Sequence, residues 1–193
     1  MKKIILAAAA LLMTTGAFAQ LDWGIKGGLN LANLTDNGDS KFKPSLYIGA
    51  FAEFEINEFF SVQPELMYSR QGYFAKDGGN KLWWRMNYLN LPVIAKLYVL
   101  EGLSIDLGPQ FGYLLNAKAK VKQGGTTTTG KVKDTCKDFD VSFVLGASYK
   151  ITDQFDISAR YLLGLTKTND INLPGDDTKC KNSVIQIGVG YRF

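Results

Sequence analysis

Apolar and polar residues alternate along most of this chain, and the alternation recurs in eight separate runs. The last run reads SVIQIGVGYRF (183–193), and from Ile185 onward its odd positions are apolar or aromatic while its even positions are Gln, Gly, Gly and Arg. A period of two predicts β-strands. The other seven runs predict strands at 23–34, 45–56, 60–73, 86–99, 103–115, 139–149 and 155–165.

The connections between these runs alternate in length. Polar segments at 35–44, 75–85, 116–138 and 166–182 are long, whereas those at 57–58, 101–102 and 152–154 are short. Outer-membrane barrels have short periplasmic turns, long outer loops and an even number of strands. The sequence therefore predicts an all-β fold, namely an eight-stranded antiparallel up-and-down transmembrane β-barrel with four long outer loops.

Alternation does not by itself say which face points inward, and a soluble lipocalin-like barrel would reverse the two faces. The face opposite the apolar one carries five cations and six anions: Lys26, Glu53, Glu55, Glu65, Lys96, Asp106, Asp140, Lys150, Asp156, Arg160 and Arg192. Its small positions are mostly glycines, which suit a crowded lumen better than a water-facing strand. Aromatic residues near the strand ends, including Tyr68, Trp84, Tyr113 and Phe139 on the loop side, are typical of interface girdles. We therefore expect the apolar face to contact lipid.

The first residues of the chain have the pattern of a secretory signal. Lys2 and Lys3 precede an apolar run at 4–13, and Ala17-Phe18-Ala19 forms a small-x-small cleavage site. We expect cleavage between Ala19 and Gln20, so that 1–19 is a signal peptide and 20–193 is the barrel domain. Beyond residue 19 no apolar run reaches the roughly 18 residues of a transmembrane helix. These features predict export to the outer membrane of a Gram-negative bacterium.

Five segments resemble the PorT-like outer-membrane β-barrel proteins of Bacteroidetes. They are GIKGGLNLANL (24–34), YLNLPVIAKLY (88–98), GPQFGYLL (108–115), ARYLLGLT (159–166) and the terminal IGVGYRF. The resemblance implies the same fold and location. Because the family's namesake is linked to protein secretion and gliding, it also implies, as an alternative function, an accessory barrel of such an apparatus with secretion-system components as partners.

The charged residues of the inward face and the absence of histidine limit the functions that this chain can have. An eight-stranded barrel is just wide enough for side chains to fill it, so the charged inward face predicts a lumen plugged by ion pairs. The alternative is a narrow passive channel, a polar path lined by Glu65, Lys96, Asp106 and Arg160. The chain has no histidine, which removes the usual general base, zinc ligands and Ser-His-Asp arrangement. We expect no enzyme activity, metal or cofactor, and a structural or surface-interaction role.

Two cysteines lie at the ends of the two longest loops. Cys136 and Cys180 each stand shortly before a predicted strand, and an exported protein with two cysteines favours one disulfide. Two separate thiols are the alternative, since the loops must bring the two Cα atoms within about 7 Å.

The expected partners follow from the loops and the last strand. The net charge of +4 does not favour nucleic acid, but the long loops are rich in lysine. They predict contact with lipopolysaccharide phosphates or surface polysaccharide, with simple solubility as the alternative. Tyr191 and Phe193 lie at the end of the closing strand, and we expect the barrel-assembly machinery to recognise them. The barrel is expected to be a monomer in outer-membrane lipid.

Overall fold

The computed structural model describes residues 21–34, 40–41, 43–72, 74–77, 80–123, 126–133, 136–167 and 181–193. These residues form eleven strands: β1 Leu21–Leu34, β2 Ser40–Lys41, β3 Lys43–Asn57, β4 Phe60–Gln71, β5 Phe74–Asp77, β6 Asn80–Leu100, β7 Leu103–Gln123, β8 Thr126–Lys131, β9 Phe139–Lys150, β10 Phe155–Lys167 and β11 Lys181–Arg192. Within these ranges, no helix has the length and apolar character needed to span a bilayer.

Eight of the strands close into a ring. The neighbours run in the order β6, β4, β3, β1, β11, β10, β9 and β7, and the pairing of β6 with β7 completes the circle. Every pair is antiparallel, and the first and last strands meet in register from Gly24 opposite Arg192 to Leu34 opposite Asn182. Closure leaves the ring with no unpaired strand edge. The predicted eight-stranded up-and-down barrel is confirmed.

Short turns join the strands at one end of the barrel. Gly102 has a φ of 78° in the β6–β7 turn, a conformation that glycine adopts without steric penalty. The β3–β4 turn is held by the Asn57 side chain, whose Oδ1 accepts a hydrogen bond from the Phe59 amide at 2.9 Å. Thr152 Oγ1 similarly accepts from the Phe155 amide at 3.0 Å. Polar turn residues thus satisfy the amides that the strands leave unpaired.

The prediction of a third long loop at 116–138 was wrong for much of that segment, which forms strands. β7 continues to Gln123, and Thr126–Lys131 returns beside it as β8, with Lys118 opposite Lys131. The physical reason is visible in the sequence: Lys118 to Lys122 reads KAKVK, which alternates with period two, and the four threonines that follow are β-branched.

The other long loops are also shorter than predicted. β5 and the start of β6 occupy most of 75–85, with Asp77 opposite Asn80, and β3 already begins at Lys43. β10 extends to Lys167 and β11 begins at Lys181. Barrel strands therefore project beyond the apolar band as a rim of hairpins.

The two faces of the barrel differ sharply in polarity. Outward positions carry exposed aliphatic residues such as Leu46, Ile48 and Ile187, whereas inward positions carry buried polar side chains such as Asn30, Gln63 and Ser104. A water-soluble barrel would have the reverse arrangement. The apolar face points outward, as a transmembrane barrel requires.

Exposed aromatic residues lie at both edges of this apolar face. Of the four that the sequence predicts on the loop side, three face outward and one does not. Tyr68, Tyr113 and Phe139 are outward and exposed. Trp84 is instead only partly exposed and packs against an inward cluster that contains Met86 and Leu114. Because inward and outward positions alternate along β6, Trp83 faces outward at this level, and the assignment of Trp84 to the girdle was wrong.

Inward glycines make room for large side chains in the lumen. A methyl group at Gly24 would overlap with the Phe51 ring, and one at Gly188 would overlap with the Tyr47 hydroxyl. A methyl group at Gly49 would likewise overlap with the Met67 sulfur. These glycines therefore allow a narrow barrel to enclose bulky residues.

Candidate functional site

A network of charged side chains fills the half of the lumen nearer the turns. Its four cations and four anions are each at most 5% exposed: Lys26, Lys96, Arg160, Arg192, Glu53, Glu65, Asp106 and Asp156. They come from seven of the eight ring strands, and β9 adds Ser148, whose hydroxyl donates to Asp106. The alternation of each strand points these residues at one another. We call these eight side chains the lumen network.

Arg160 is one centre of the lumen network. Its Nη1 donates to both carboxylate oxygens of Glu65, at 2.8 and 2.9 Å, and its Nη2 lies 2.9 Å from Asp106 Oδ2. The Nε of Arg160 also donates to Asp106, at 3.1 Å. One guanidinium thus holds carboxylates of β4 and β7 through charge-assisted hydrogen bonds, which are stronger than those between neutral groups.

Glu53 is the second centre. Its Oε2 lies 2.7 Å from Arg192 Nη2 and 3.4 Å from Lys96 Nζ. Its Oε1 accepts hydrogen bonds from the hydroxyls of Ser61, at 2.6 Å, and Tyr98. This carboxylate therefore receives two cations and two hydroxyls, which compensates for its complete removal from water.

Lys26 and Asp156 join the two centres. Lys26 Nζ lies 3.7 Å from Glu65 Oε1 and 3.8 Å from Asp156 Oδ1, and Asp156 Oδ2 lies 3.9 Å from Arg192 Nη2. Lys26 also stands 5.4 Å from the centroid of the Phe51 ring. The eight groups consequently form one connected set with equal numbers of positive and negative charges.

Three other charged residues of the predicted inward face lie outside the lumen network. Lys150 Nζ and Glu55 Oε1 form a partly exposed pair at 3.4 Å near the turns. Asp140 is buried and accepts hydrogen bonds from Ser142, at 3.0 Å, and Thr166, at 2.8 Å. Among the described residues, these two hydroxyls rather than a cation are the partners of Asp140.

The barrel also contains an inward apolar layer that was not predicted from the sequence. Five inward side chains form a buried cluster: Ala32, Ile94, Val144, Leu162 and Val184. On β6, β10 and β11, this layer lies on the loop side of Lys96, Arg160 and Arg192. The signal that could have predicted this layer is their position, because these apolar residues occupy inward positions of the same alternating runs.

A second apolar cluster lies nearer the outer mouth. Met86, Tyr88, Leu114, Ala117 and Cys136 are buried together there. Cys136 is therefore placed under the rim of hairpins. Cys180 lies outside the described residues, so its disulfide with Cys136 stays a prediction, as does cleavage between Ala19 and Gln20.

The closing strand ends in an aromatic cluster at the turn side. The Phe193 ring lies 4.4 Å from the Trp23 ring and 5.3 Å from the Tyr191 ring, measured between centroids. Tyr191 also contacts Phe155 at 5.0 Å, and the Phe193 amide donates to the Trp23 carbonyl at 3.1 Å. These contacts fasten the last strand to both of its neighbours.

The arrangement of carboxylates does not suggest a metal centre. Within the part of the chain that the structure describes, no three His, Cys, Asp or Glu residues are grouped so that they could hold a metal ion. The buried carboxylates point to arginine, lysine and hydroxyl groups instead. They are carboxylates that cations and hydroxyls of the barrel compensate.

Comparison with known proteins agrees with this geometry. Residues 18–170 match the outer membrane protein beta-barrel domain. The fold is similar to that of Ail, the attachment invasion locus protein of Yersinia pestis, with a TM-score of 0.52, 16% identity and coverage of 89% of this chain and 98% of that one. It is also similar to Neisserial surface protein A, with a TM-score of 0.56, 14% identity and coverage of 92% and 100%.

Identities this low indicate a shared fold and nothing more specific, and no curated protein sequence matches the chain at a significant level. The family match nevertheless spans well over half of the 193 residues. This protein belongs to the outer membrane protein beta-barrel domain family and is an outer-membrane β-barrel protein.

Proposed function

We propose that this protein is a closed, monomeric, non-catalytic barrel with a structural or surface-interaction role. The observation that carries the proposal is the lumen network, in which four buried cations meet four buried anions across the barrel. A conducting pore needs a continuous aqueous path. Here the polar side chains are directed at one another and are almost completely withdrawn from solvent.

The residues that would line a narrow channel support the closed form. Glu65, Lys96, Asp106 and Arg160 are 3%, 1%, 0% and 5% exposed. Arg160 binds two of them directly, and the apolar layer covers the network on the loop side. An ion would have to break buried ion pairs and then pass the apolar layer, and each of these steps is unfavourable.

Ion flux from liposomes tests the proposal. Vesicles that contain the wild-type barrel should lose a trapped potassium gradient as slowly as empty vesicles. The charge-neutral variant Glu65→Ala/Arg160→Ala removes side chains from the network and should increase the flux. A matched control is Glu55→Ala/Lys150→Ala, which removes a pair at the turn-side mouth and should leave the vesicles tight. Rapid flux through the wild-type barrel would contradict the closed lumen.

A second proposal is membership of the PorT-like group, with an accessory role in secretion or gliding. It is supported by the five sequence segments that resemble that group, which extend from residue 24 to residue 193. Crosslinking in intact cells, followed by extraction in mild detergent, tests it. Stoichiometric recovery of secretion-system components would support the accessory role, whereas recovery of the barrel with lipid alone would count against it.

A further inference from the structure

The projecting part of the β6, β7 and β8 sheet carries a row of cations on three adjacent strands. Arg85 stands opposite Lys118, and Lys118 stands opposite Lys131. Directly paired residues of antiparallel strands share a face. All three side chains are exposed, so they form a continuous positive row across the sheet.

Two more lysines lie on the same face. Lys120 and Lys122 follow Lys118 at intervals of two, and Lys120 is opposite Trp83 on β6. Lys120 Nζ lies 5.6 Å from the centroid of the Trp83 ring. We call Trp83, Arg85, Lys118, Lys120, Lys122 and Lys131 the outer basic face.

This face points away from the barrel axis. Met86 and Ala117, the neighbours of Arg85 and Lys118 in sequence, are buried in the cluster at the outer mouth, so the basic residues point the other way. Four residues further along β6, Leu89 lies exposed on the apolar outside. The outer basic face is therefore a direct continuation of the lipid-facing surface.

The part of the protein that the structure describes does not neutralise the charges on this face. Among the described residues, none of its five cations forms an ion pair with a carboxylate; Lys133, which pairs with Asp138 at 3.5 Å, lies outside the face. Like charges that stand directly opposite each other destabilise a sheet. Anions from another molecule that lie against such a row would relieve this repulsion.

The position of the outer basic face along the membrane normal indicates which anions could lie against it. Arg85 is four residues beyond Leu89, which corresponds to about 10 Å along the membrane normal at ordinary strand rise and tilt. Leu89 is paired with Tyr68 and Tyr113, the aromatic residues at the outer edge of the apolar face. The cations therefore lie just outside the hydrocarbon core, at the level of the lipid head groups. Trp83 is amphipathic and suits the same level.

We propose that the outer basic face binds the phosphate groups of lipopolysaccharide in the surrounding outer leaflet. Arg85, Lys118 and Lys131 hold the phosphates across three strands, and Lys120 and Lys122 extend the contact upward. This inference goes beyond the closed-barrel function and rests on different residues. Its failure would leave the lumen network unaffected, and a leaking lumen would leave this face unaffected.

Retention of lipopolysaccharide by the purified full-length barrel tests the proposal. The wild-type barrel, folded in a mild detergent, is incubated with purified lipopolysaccharide at physiological salt, and the bound lipid is measured by native mass spectrometry. The variant Arg85→Glu/Lys118→Glu/Lys131→Glu should lower the affinity at least about tenfold, because each cation near an anionic surface contributes to binding. Resistance of each barrel to unfolding in SDS without heating shows that the variant is folded.

Two controls separate phosphate binding from other effects. The conservative variant Arg85→Lys/Lys118→Arg/Lys131→Arg should bind lipopolysaccharide like the wild type. Dephosphorylated lipopolysaccharide should bind weakly to the wild type. Its affinity should equal that of native lipopolysaccharide for the charge-reversed variant. Equal retention by wild-type and charge-reversed barrels would overturn the proposal. So would a charge-reversed barrel that loses affinity only for a soluble sulfated polysaccharide, since the occupant would then be polysaccharide rather than membrane lipid.

Discussion

Arg160 on β10 and Glu65 on β4 meet across the lumen, where Arg160 Nη1 donates to both carboxylate oxygens of Glu65, at 2.8 and 2.9 Å. The two residues are 95 positions apart in sequence. Their contact joins strands that are not neighbours in the ring. It therefore ties opposite parts of the barrel wall together through the interior.

Replacement of Arg160 should destabilise the barrel strongly. Arg160→Met leaves Glu65 and Asp106 buried without their main cation, and the loss of one partner from a buried ion pair costs about 3–5 kcal/mol. Arg160→Lys should lose less, because it keeps the charge and loses only part of the hydrogen bonding to Glu65 and Asp106. Urea unfolding in lipid vesicles measures the free energy of unfolding. A methionine variant as stable as the wild type would show that the network is dispensable.

Two glutamates only two positions apart should respond very differently to neutralisation. Glu53→Gln removes the carboxylate that Arg192 and Lys96 share and should cost several kcal/mol, about the value expected for a broken buried pair. Glu55→Gln breaks a partly exposed pair with Lys150 and should cost about 1 kcal/mol or less. The same urea titration compares them, and equal losses would contradict the burial-based account.

Part of this architecture could be read from the sequence. The alternation around Ile185, Ile187 and Val189 identified both the closing strand and its outward face, because a strand with one apolar face has only one favourable register. The same period placed Arg160 and Glu65 inside. It could not show that they contact each other, since that contact depends on the shear of the closed barrel and on strands far apart in sequence.

Other features were obscured by composition. Charged and threonine-rich segments are usually solvated, so composition predicts a loop at Lys118, Lys120 and Lys122, although their alternation is that of a strand. Leu162 and Val184 are apolar, so their composition predicts an outward position, although the period of their strands places them inside. In both cases the period of the sequence agrees with the structure and the composition does not.

Lumen glycines should not tolerate side chains where the structure is crowded. In Gly188→Ala the new methyl group would overlap with the Tyr47 hydroxyl, and overpacking of this kind costs about 1–3 kcal/mol. Gly130→Ala is a matched control, because nothing lies within 4 Å of its added methyl group. The double variant Gly188→Ala/Tyr47→Phe should recover part of the loss. Equal stability of the Gly188 and Gly130 variants would contradict the crowded lumen.

The terminal aromatic residue should matter more for assembly than for final stability. Phe193 is 61% exposed, and its contact with Trp23 is one aromatic pair, which contributes about 0.5–1.5 kcal/mol. Phe193→Ala should therefore refold in vitro with little loss of stability but accumulate less in the outer membrane of cells. Phe139→Ala, an exposed aromatic at the other edge, is the control. Similar accumulation of both variants would count against an assembly signal at Phe193.

The central claim is that the lumen network closes the barrel, and single-channel recording in planar lipid bilayers tests it most directly. The wild-type barrel should insert without producing discrete current steps at moderate voltage, while Glu65→Ala/Arg160→Ala, inserted at the same density, should produce brief openings. Insertion is confirmed independently by recovery of folded protein from the bilayer-forming vesicles. Stable, uniform openings of the wild-type barrel would contradict the claim and establish a channel.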